Sequence, residues 1–378
     1  MSRNPAVPWP LKCSNCGRSH PDGDLRYKCP TCGGVFDLDP PLRYESASDE
    51  PGGIGIERYR ASFPLPPDAP WVSLGEGGTP LVAAGVDSRR IHFKCEYLNP
   101  TGSFKDRGSA VLVSALAAAG VSRVVEDSSG NAGASLAAYA ARAGIAARIY
   151  VPANASPRKL SQIAAYGAEL VRIPGPRTAV ADAAAAEHSD GVVYASHAWV
   201  PLGLAGMASA AFEIVEQLGG PPGAVVVPAG QGTLLLGLWR GFQSMYDSGS
   251  IGDLPRMIGA QAAACAPLWA VHQGGGVTLA WVQEGVTRAE GIRILRPLRG
   301  DAVLEAVHAS RGTIVAVDEP TIAEGEERLA ALGFFVEPTS AVVWGALQST
   351  LTDLPDPVVA VLTGSGLKVE PRPGNEET

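Results

Sequence analysis

From Trp71 to Lys368 the chain alternates short apolar, β-branched runs with longer alanine-rich stretches. That alternation limits the possible folds more than any other feature. Val121–Val125 reads as a strand and Ala132–Ala143 as a helix. Ala146–Val151 and Leu170–Ile173 repeat the strand pattern around a helix over Pro157–Tyr166. Ala224–Val227 leads through a glycine loop into a helix over Leu234–Tyr246, and Ile258–Ala260, Thr313–Val317 and Val358–Leu362 are further short strands. Buried strands separated by helices pair in parallel through right-handed crossovers. The expected class is α/β, with doubly wound parallel sheets.

The length of 378 residues suits two or three domains with well-buried cores. Hydrophobic residues make up 46% and charged residues 18%, the balance of a globular chain. The net charge of −8 argues against nucleic-acid binding over the whole surface. No apolar run is long enough to span a membrane, and Met1–Pro10 lacks the apolar centre of a signal peptide. A cytoplasmic enzyme is expected.

Residues 9–40 form a first unit. Cys13 and Cys16 make one CxxC knuckle, and Cys29 and Cys32 make another. Each knuckle presents two thiolates on one side of a tight turn, and zinc prefers four in a tetrahedron. Four cysteines close such a site, so the Zn2+ is expected to be structural. Lys12, Arg18, Arg26 and Lys28 are too few and too scattered to predict nucleic-acid binding. His20 reads as a solvated loop residue, and Cys95 and Cys265 as single buried thiols. Residues 41–70 read as a linker with one short helix near Ile56–Ser62. A catalytic body over 71–368 follows, then a polar, disordered tail over 369–378.

Asn99-Pro100-Thr101-Gly102 is a strong turn signal, followed by an apolar helix over Ala110–Ala119. Lys105 lies between the two, and Ser103 can cap the helix. A free ammonium is disfavoured at such a positive helix end, and an anionic cofactor is favoured. A lysine in a turn is ordinarily solvated; it forms Schiff bases when desolvated and held still. Three other loops fall beyond strand carboxyl ends, where doubly wound sheets bind ligands. Ser128-Ser129-Gly130-Asn131 offers hydroxyls and amides for a substrate carboxylate, or else a plain helix cap. Gly230-Gln231-Gly232-Thr233-Leu234 lets amides converge on a phosphate, or is a tight turn. Leu362–Lys368 carries the hydroxyls of Thr363 and Ser365.

The run Asn99–Gly108 closely resembles the Schiff-base lysine segment of pyridoxal-phosphate (PLP) enzymes of the tryptophan synthase β fold, fold type II. Within that superfamily it is most similar to threonine synthase. Ser73–Leu81 and Glu337–Ala341 resemble two more segments of the family, so the matches span roughly 71–368. The resemblance implies two doubly wound domains with the cofactor between them. The smaller would be inserted over about 98–205, and the larger would comprise 71–97 and 206–368. Lys105 would be the catalytic, cofactor-binding lysine. Asn131 would bond the cofactor's 3'-oxygen, and Gly230, Gln231, Gly232, Thr233 and Leu234 its phosphate. Thr363 would bond the pyridine nitrogen, with Ser365 as a rival because the family commonly has His there. A neutral hydroxyl at that nitrogen makes a milder electron sink than an Asp would. The implied activity is a lyase that converts O-phosphohomoserine to threonine and phosphate by γ-elimination and β-hydration. A homodimer acting on a small amino-acid substrate is implied as well.

One segment departs from the family. Threonine synthases grip the substrate phosphate through an Asn and an Arg ahead of a Gly-Gln-Lys-Thr stretch. Here Val200 and Gly203 stand at those places and Ala208 replaces the Lys, in an almost wholly apolar segment. Either another cation (Arg107, Arg158 or Lys159) takes the phosphate, or the substrate lacks one. In the second case His197 and Trp199 would shape the site, although Trp199 reads equally as packing. A PLP enzyme acting only at the β carbon, such as a cysteate- or cysteine-synthase-like enzyme or a serine/threonine dehydratase, is therefore an alternative. A catalytically silent fold with a binding ribbon is a third.

Overall fold

The ribbon starts with two short strands, β1 (Leu11–Cys13) and β2 (Phe36–Leu38), paired antiparallel with Cys13 opposite Phe36. The computed structural model describes residues 9–21, 25–47, 55–189, 191–274 and 282–369. His20 is buried, contrary to the expectation of a solvated loop residue. Its ring lies against Trp9 and Phe36, and its nitrogens meet the carbonyl oxygens of Pro21 and Arg26. A unit this small has few apolar side chains, and the imidazole completes its core.

The stretch 41–70 is more than a linker. A 3-10 segment over Gly55–Ser62 buries Ile56 and Tyr59 completely, and Tyr44 and Tyr59 both meet the ring of Phe212 edge-on. Its apolar residues recur at helical spacing and give one inward stripe. The tail residues 370–378 lie outside the described residues.

The body opens with a hairpin, β3 (Leu81–Val86) and β4 (Arg89–Lys94). Then come α1 (Lys105–Ala118), β5 (Arg123–Glu126), α2 (Asn131–Ala143), β6 (Ala146–Pro152), α3 (Pro157–Ala165), β7 (Glu169–Ile173), α4 (Arg177–Ala186) and β8 (Val192–Tyr194). Strands β7, β6, β5 and β8 form an all-parallel sheet in that order. The chain continues through α5 (Leu202–Leu218), β9 (Ala224–Pro228), α6 (Thr233–Asp247), β10 (Arg256–Ala262), α7 (Pro267–Gln273), α8 (Gly300–Ala309), β11 (Thr313–Val317), α9 (Glu319–Ala331), α10 (Pro338–Thr350) and β12 (Val358–Val361). The second sheet runs β11-β10-β9-β12-β4-β3, parallel except for the edge strand β3. The α/β class with parallel sheets is thus as the alternation predicts.

The expected domain edge at 205/206 falls inside α5, which packs on α1 at one side and α6 at the other. Residues Leu202 to Val215 of α5 are all buried, which explains the apolar segment noted above. A Cβ on Gly206 would stand 1.9 Å from the Arg107 carbonyl oxygen, so α1 and α5 touch backbone to backbone there. That contact fixes the turn carrying Lys105. Among the described residues, no helix is long and apolar enough to cross a membrane.

Candidate active site

Four loops meet at the carboxyl ends of the strands. Lys105 is the first residue of α1, and Asp106 holds the preceding turn. The Asp106 carboxylate accepts from the Thr101 amide and hydroxyl, each at 2.6 Å, and from Ser135 Oγ at 2.6 Å. Ser103 is not the helix cap. The cap position is Phe104, and the Ser103 backbone carbonyl takes the Asp106 amide. Its hydroxyl is left buried with no hydrogen-bond partner. An orphaned buried hydroxyl two residues from the lysine suits a bound polar group.

The loop after β12 closes on the lysine turn. The Phe104 amide donates to the Thr363 carbonyl at 3.0 Å, and the Ser365 amide to that of Gly102 at 3.0 Å. Ser340 Oγ lies 2.9 Å from Thr363 Oγ1 and accepts from the Thr363 and Gly364 amides. Ser340 is a site residue that sequence reading missed; its only signal was the Glu337–Ala341 motif. Ser365 Oγ accepts from the Leu367 amide as the cap of the last turn.

Asn131 begins α2. Gly130 holds the cap position with no side-chain cap bond, so the plain capping reading of this loop fails. The Asn131 amide group instead donates to Glu337, 3.1 Å from each carboxylate oxygen, on the loop that also meets Gly364. Ser128 and Ser129 are half-buried beside the open α2 amides. The glycine loop sits beside Thr363 because β9 and β12 are neighbours. Gly232 caps α6 at φ +73°, a left-handed conformation natural to glycine, with no side-chain acceptor on the first amides. Such a bare helix start is an anion site. Thr233 and Leu234 are buried, and the Gln231 side chain turns away to accept from the Leu298 amide. These features fit a phosphate held by backbone donors.

The Lys105 amine lies 4.5 Å from the centre of the Phe104 ring and opens on a small cavity. Glu126, His197, Leu136, Gly203 and Met207 also line it. Burial draws the amine down to about 7, against the opposing charges of Glu126 and Glu337. Burial also pushes the Glu126 carboxyl well above the usual range, aided by Asp127, and holds His197 well below its own. Glu126 was missed in the sequence, where only its place at the end of β5 marked it. His197 faces the cavity; Trp199 packs edge-on against Tyr27 of the ribbon.

Arg107 cannot serve a substrate phosphate. It is fully buried, with Glu96 at 2.6 Å and Glu213 at 2.7 Å. The side chains of Arg158 and Lys159 lie outside the described residues. The four ribbon thiols all lie within 4.8 Å of one another, with Cys13–Cys32 at 3.5 Å and Cys16–Cys29 at 3.6 Å. Sulfurs bound tetrahedrally to zinc stand about 3.8 Å apart, so the quartet fits that ion. Cys95 and Cys265 are free and buried, as expected.

Residues 72–364 match the family described as pyridoxal-phosphate dependent enzymes. A threonine synthase from Methanocaldococcus jannaschii is 32% identical over 376 residues, covering 94% of this chain and 92% of its own. One from Mycobacterium tuberculosis is 36% identical over 334 residues, covering 85% and 91%. Among solved structures, a T.th. threonine deaminase aligns with TM-score 0.66 and 28% identity, covering 78% of this chain and 94% of that one. Maize serine racemase aligns with TM-score 0.67 over 77% and 88%, but at 22% identity it speaks for the fold alone. The chain belongs to the pyridoxal-phosphate-dependent enzymes, as a threonine-synthase-like member.

Proposed function

We propose that this chain is a lyase that removes the α proton of an amino-acid substrate with Lys105 and expels a side-chain substituent. The observation that carries this reading is the enclosed Lys105 amine with its pKa drawn down to about 7. An amine so placed is neutral often enough to attack a carbonyl and to carry a proton near neutrality. Pyridoxal phosphate, when bound, supplies the electron sink that makes the α proton acidic.

The remaining roles are those the family resemblance implies, and the positions described above support them. The amides of Gly230, Gln231 and Gly232, with Thr233 and the Leu234 amide, hold the cofactor phosphate at the α6 start. Asn131 donates to the ring oxygen, and Thr363, kept in place by Ser340, meets the ring nitrogen. Ser128, Ser129 and the α2 amides take the substrate carboxylate. Cys13, Cys16, Cys29 and Cys32 hold structural zinc. Replacing Cys29 by serine is expected to cost the bound zinc, read by elemental analysis, and to lower the unfolding midpoint. The midpoint falls because Phe36 and Tyr27 tie the ribbon into the main core. A Cys29→Ser protein with full zinc would sink the assignment. By resemblance alone we also expect a cytoplasmic homodimer; a monomeric mass in solution would remove that expectation.

Two substrates are in play. The threonine synthase relatives support O-phosphohomoserine, with γ-elimination and β-hydration giving threonine and phosphate. The cavity supports a second reading, elimination at the β carbon of an unphosphorylated amino acid, because its lining carries Glu126 and Gly203 where a phosphate needs cations. The silent-fold reading is the weakest, since the lysine, asparagine and glycine loops are all intact. Incubating the PLP-loaded protein with O-phospho-L-homoserine, and assaying phosphate and threonine, separates these readings. Equal amounts of both products support the first. No product with cofactor bound removes it and favours the second. A protein that cannot take up PLP removes the lyase reading entirely.

A further inference from the structure

The lining of the Lys105 cavity contains two titratable side chains that the roles above leave unused. Glu126 ends β5 and is 1% exposed. His197 lies on the loop between β8 and α5, with Nδ1 3.4 Å from the Glu126 carboxyl. The lining around them includes Leu136, Met207 and Gly203, with Lys105 in the same cavity. Asp127 and Arg177 are the other charges that act on Glu126, and they are engaged with each other. Arg177 lies 2.6 Å from one Asp127 oxygen, and Tyr194 donates to the other at 2.7 Å. The Ser109 hydroxyl, also in the lining, lies 2.7 Å from Ser135 Oγ. An acid–imidazole pair thus shares a largely apolar cavity with the lysine.

Resting on the lyase reading, we infer that Glu126 and His197 form a proton-donating pair for the leaving group, and that the substrate is a β-hydroxy amino acid. A phosphate leaves as a stable anion and needs cationic donors around it; a protonated carboxyl and a neutral imidazole supply no such charge. A hydroxyl is the reverse case. It leaves only when a proton is delivered, and a positioned acid supplies that proton. Burial favours the protonated form of Glu126 and the neutral form of His197. With the Glu126 carboxyl donating to Nδ1, the ring carries its own proton on Nε2.

The step balances within the cavity. Lys105 takes the α proton. The Cβ–O bond breaks with its electron pair on oxygen, the Nε2 proton joins that oxygen, and water departs. Glu126 refills the imidazole through Nδ1. The proton held by Lys105 then returns to Nε2 while the imidazole hands its Nδ1 proton back to Glu126, so the pair is restored and the net loss from the substrate is one water. The unsaturated amino acid left behind takes up water and yields a 2-oxo acid and ammonia.

The test uses the PLP-loaded full chain, with Glu126→Gln and His197→Ala variants. Each is given L-serine, L-threonine and β-chloro-L-alanine, whose chloride leaves without a proton. Two readouts are followed: 2-oxo acid formation, and exchange of the α hydrogen with deuterated solvent. The inference expects both variants to lose serine and threonine turnover about a hundredfold or more. β-Chloroalanine turnover and α-hydrogen exchange should fall far less, which a folding defect would not spare. Equal losses on serine and β-chloroalanine, or no loss on either, overturn it. Wild-type enzyme that prefers O-phospho-L-homoserine to both hydroxy amino acids overturns it while the lyase reading stands. Absence of α-hydrogen exchange with every probe overturns the lyase reading itself, and the inference with it.

Discussion

Lys105→Ala is expected to lose turnover by about a thousandfold or more, because one side chain is both the covalent attachment and the proton carrier. The variant should also lose the absorbance of the lysine-bound cofactor; a variant that keeps the native spectrum would refute the role of Lys105. Stability gives an independent readout in the cofactor-free protein. Burial lowers the amine from 10.5 to about 7. Between those values the unfolded chain binds the extra proton, so stability rises with pH from about 7 to 10.5. Below pH 7 both states are protonated, and the full cost of the buried ammonium is paid. In Lys105→Ala that rise should vanish, as measured by denaturant unfolding across the window.

Glu213→Ala is expected to be the most destabilising single change, by about 3–5 kcal/mol. The Glu213 carboxylate lies 2.6 Å from Lys94 Nζ and 2.7 Å from Arg107, and it accepts the Gly78 amide at 2.8 Å. Removing it leaves two buried cations with Glu96 as their remaining carboxylate. Burial opposes the charge on Glu213, but Arg107 and Lys94 outweigh it and hold its pKa at about 2, below the ordinary 4.5. This stabilisation is therefore complete above about pH 4.5 and is lost as pH falls through about 2. The half-exposed pair of Arg58 and Glu216 is the control, and Glu216→Ala should cost less than about 1 kcal/mol. Equal losses in the two variants, measured by chemical denaturation, would mean that the buried cluster has no special weight. The cluster also bears on the site. Arg107 follows Lys105 by two residues, so fixing its guanidinium fixes the first turn of α1.

Sequence reading went furthest where structure is local. Strands β5, β6, β9 and β12 lie where apolar runs are bounded by turn formers, and the glycine loop opens α6 as its spacing predicts. It went wrong where a side chain's surroundings come from distant chain. Ser103 has the identity of a cap, yet the helix starts later and the hydroxyl points into the interior. His20 looks solvated in the sequence but fills the core of the ribbon. The stretch 41–70 has a linker's composition, yet three of its aromatics pack into the body: Tyr44 and Tyr59 on Phe212, and Phe63 on Trp71.

The sequence by itself determined the α/β class, the lysine turn and the cysteine quartet. Each is written in neighbouring residues through turn chemistry, periodicity and ligand spacing. Only the tertiary structure decided which charges are spent and which remain available. Arg107 meets Glu213 across 106 residues of chain, and Glu126 meets His197 across 71. Whether a charged side chain is a partner or a reagent depends on its desolvation and on what faces it. Both are set by packing between elements far apart in the chain, as α5 on α1 and the β8–α5 loop beside β5.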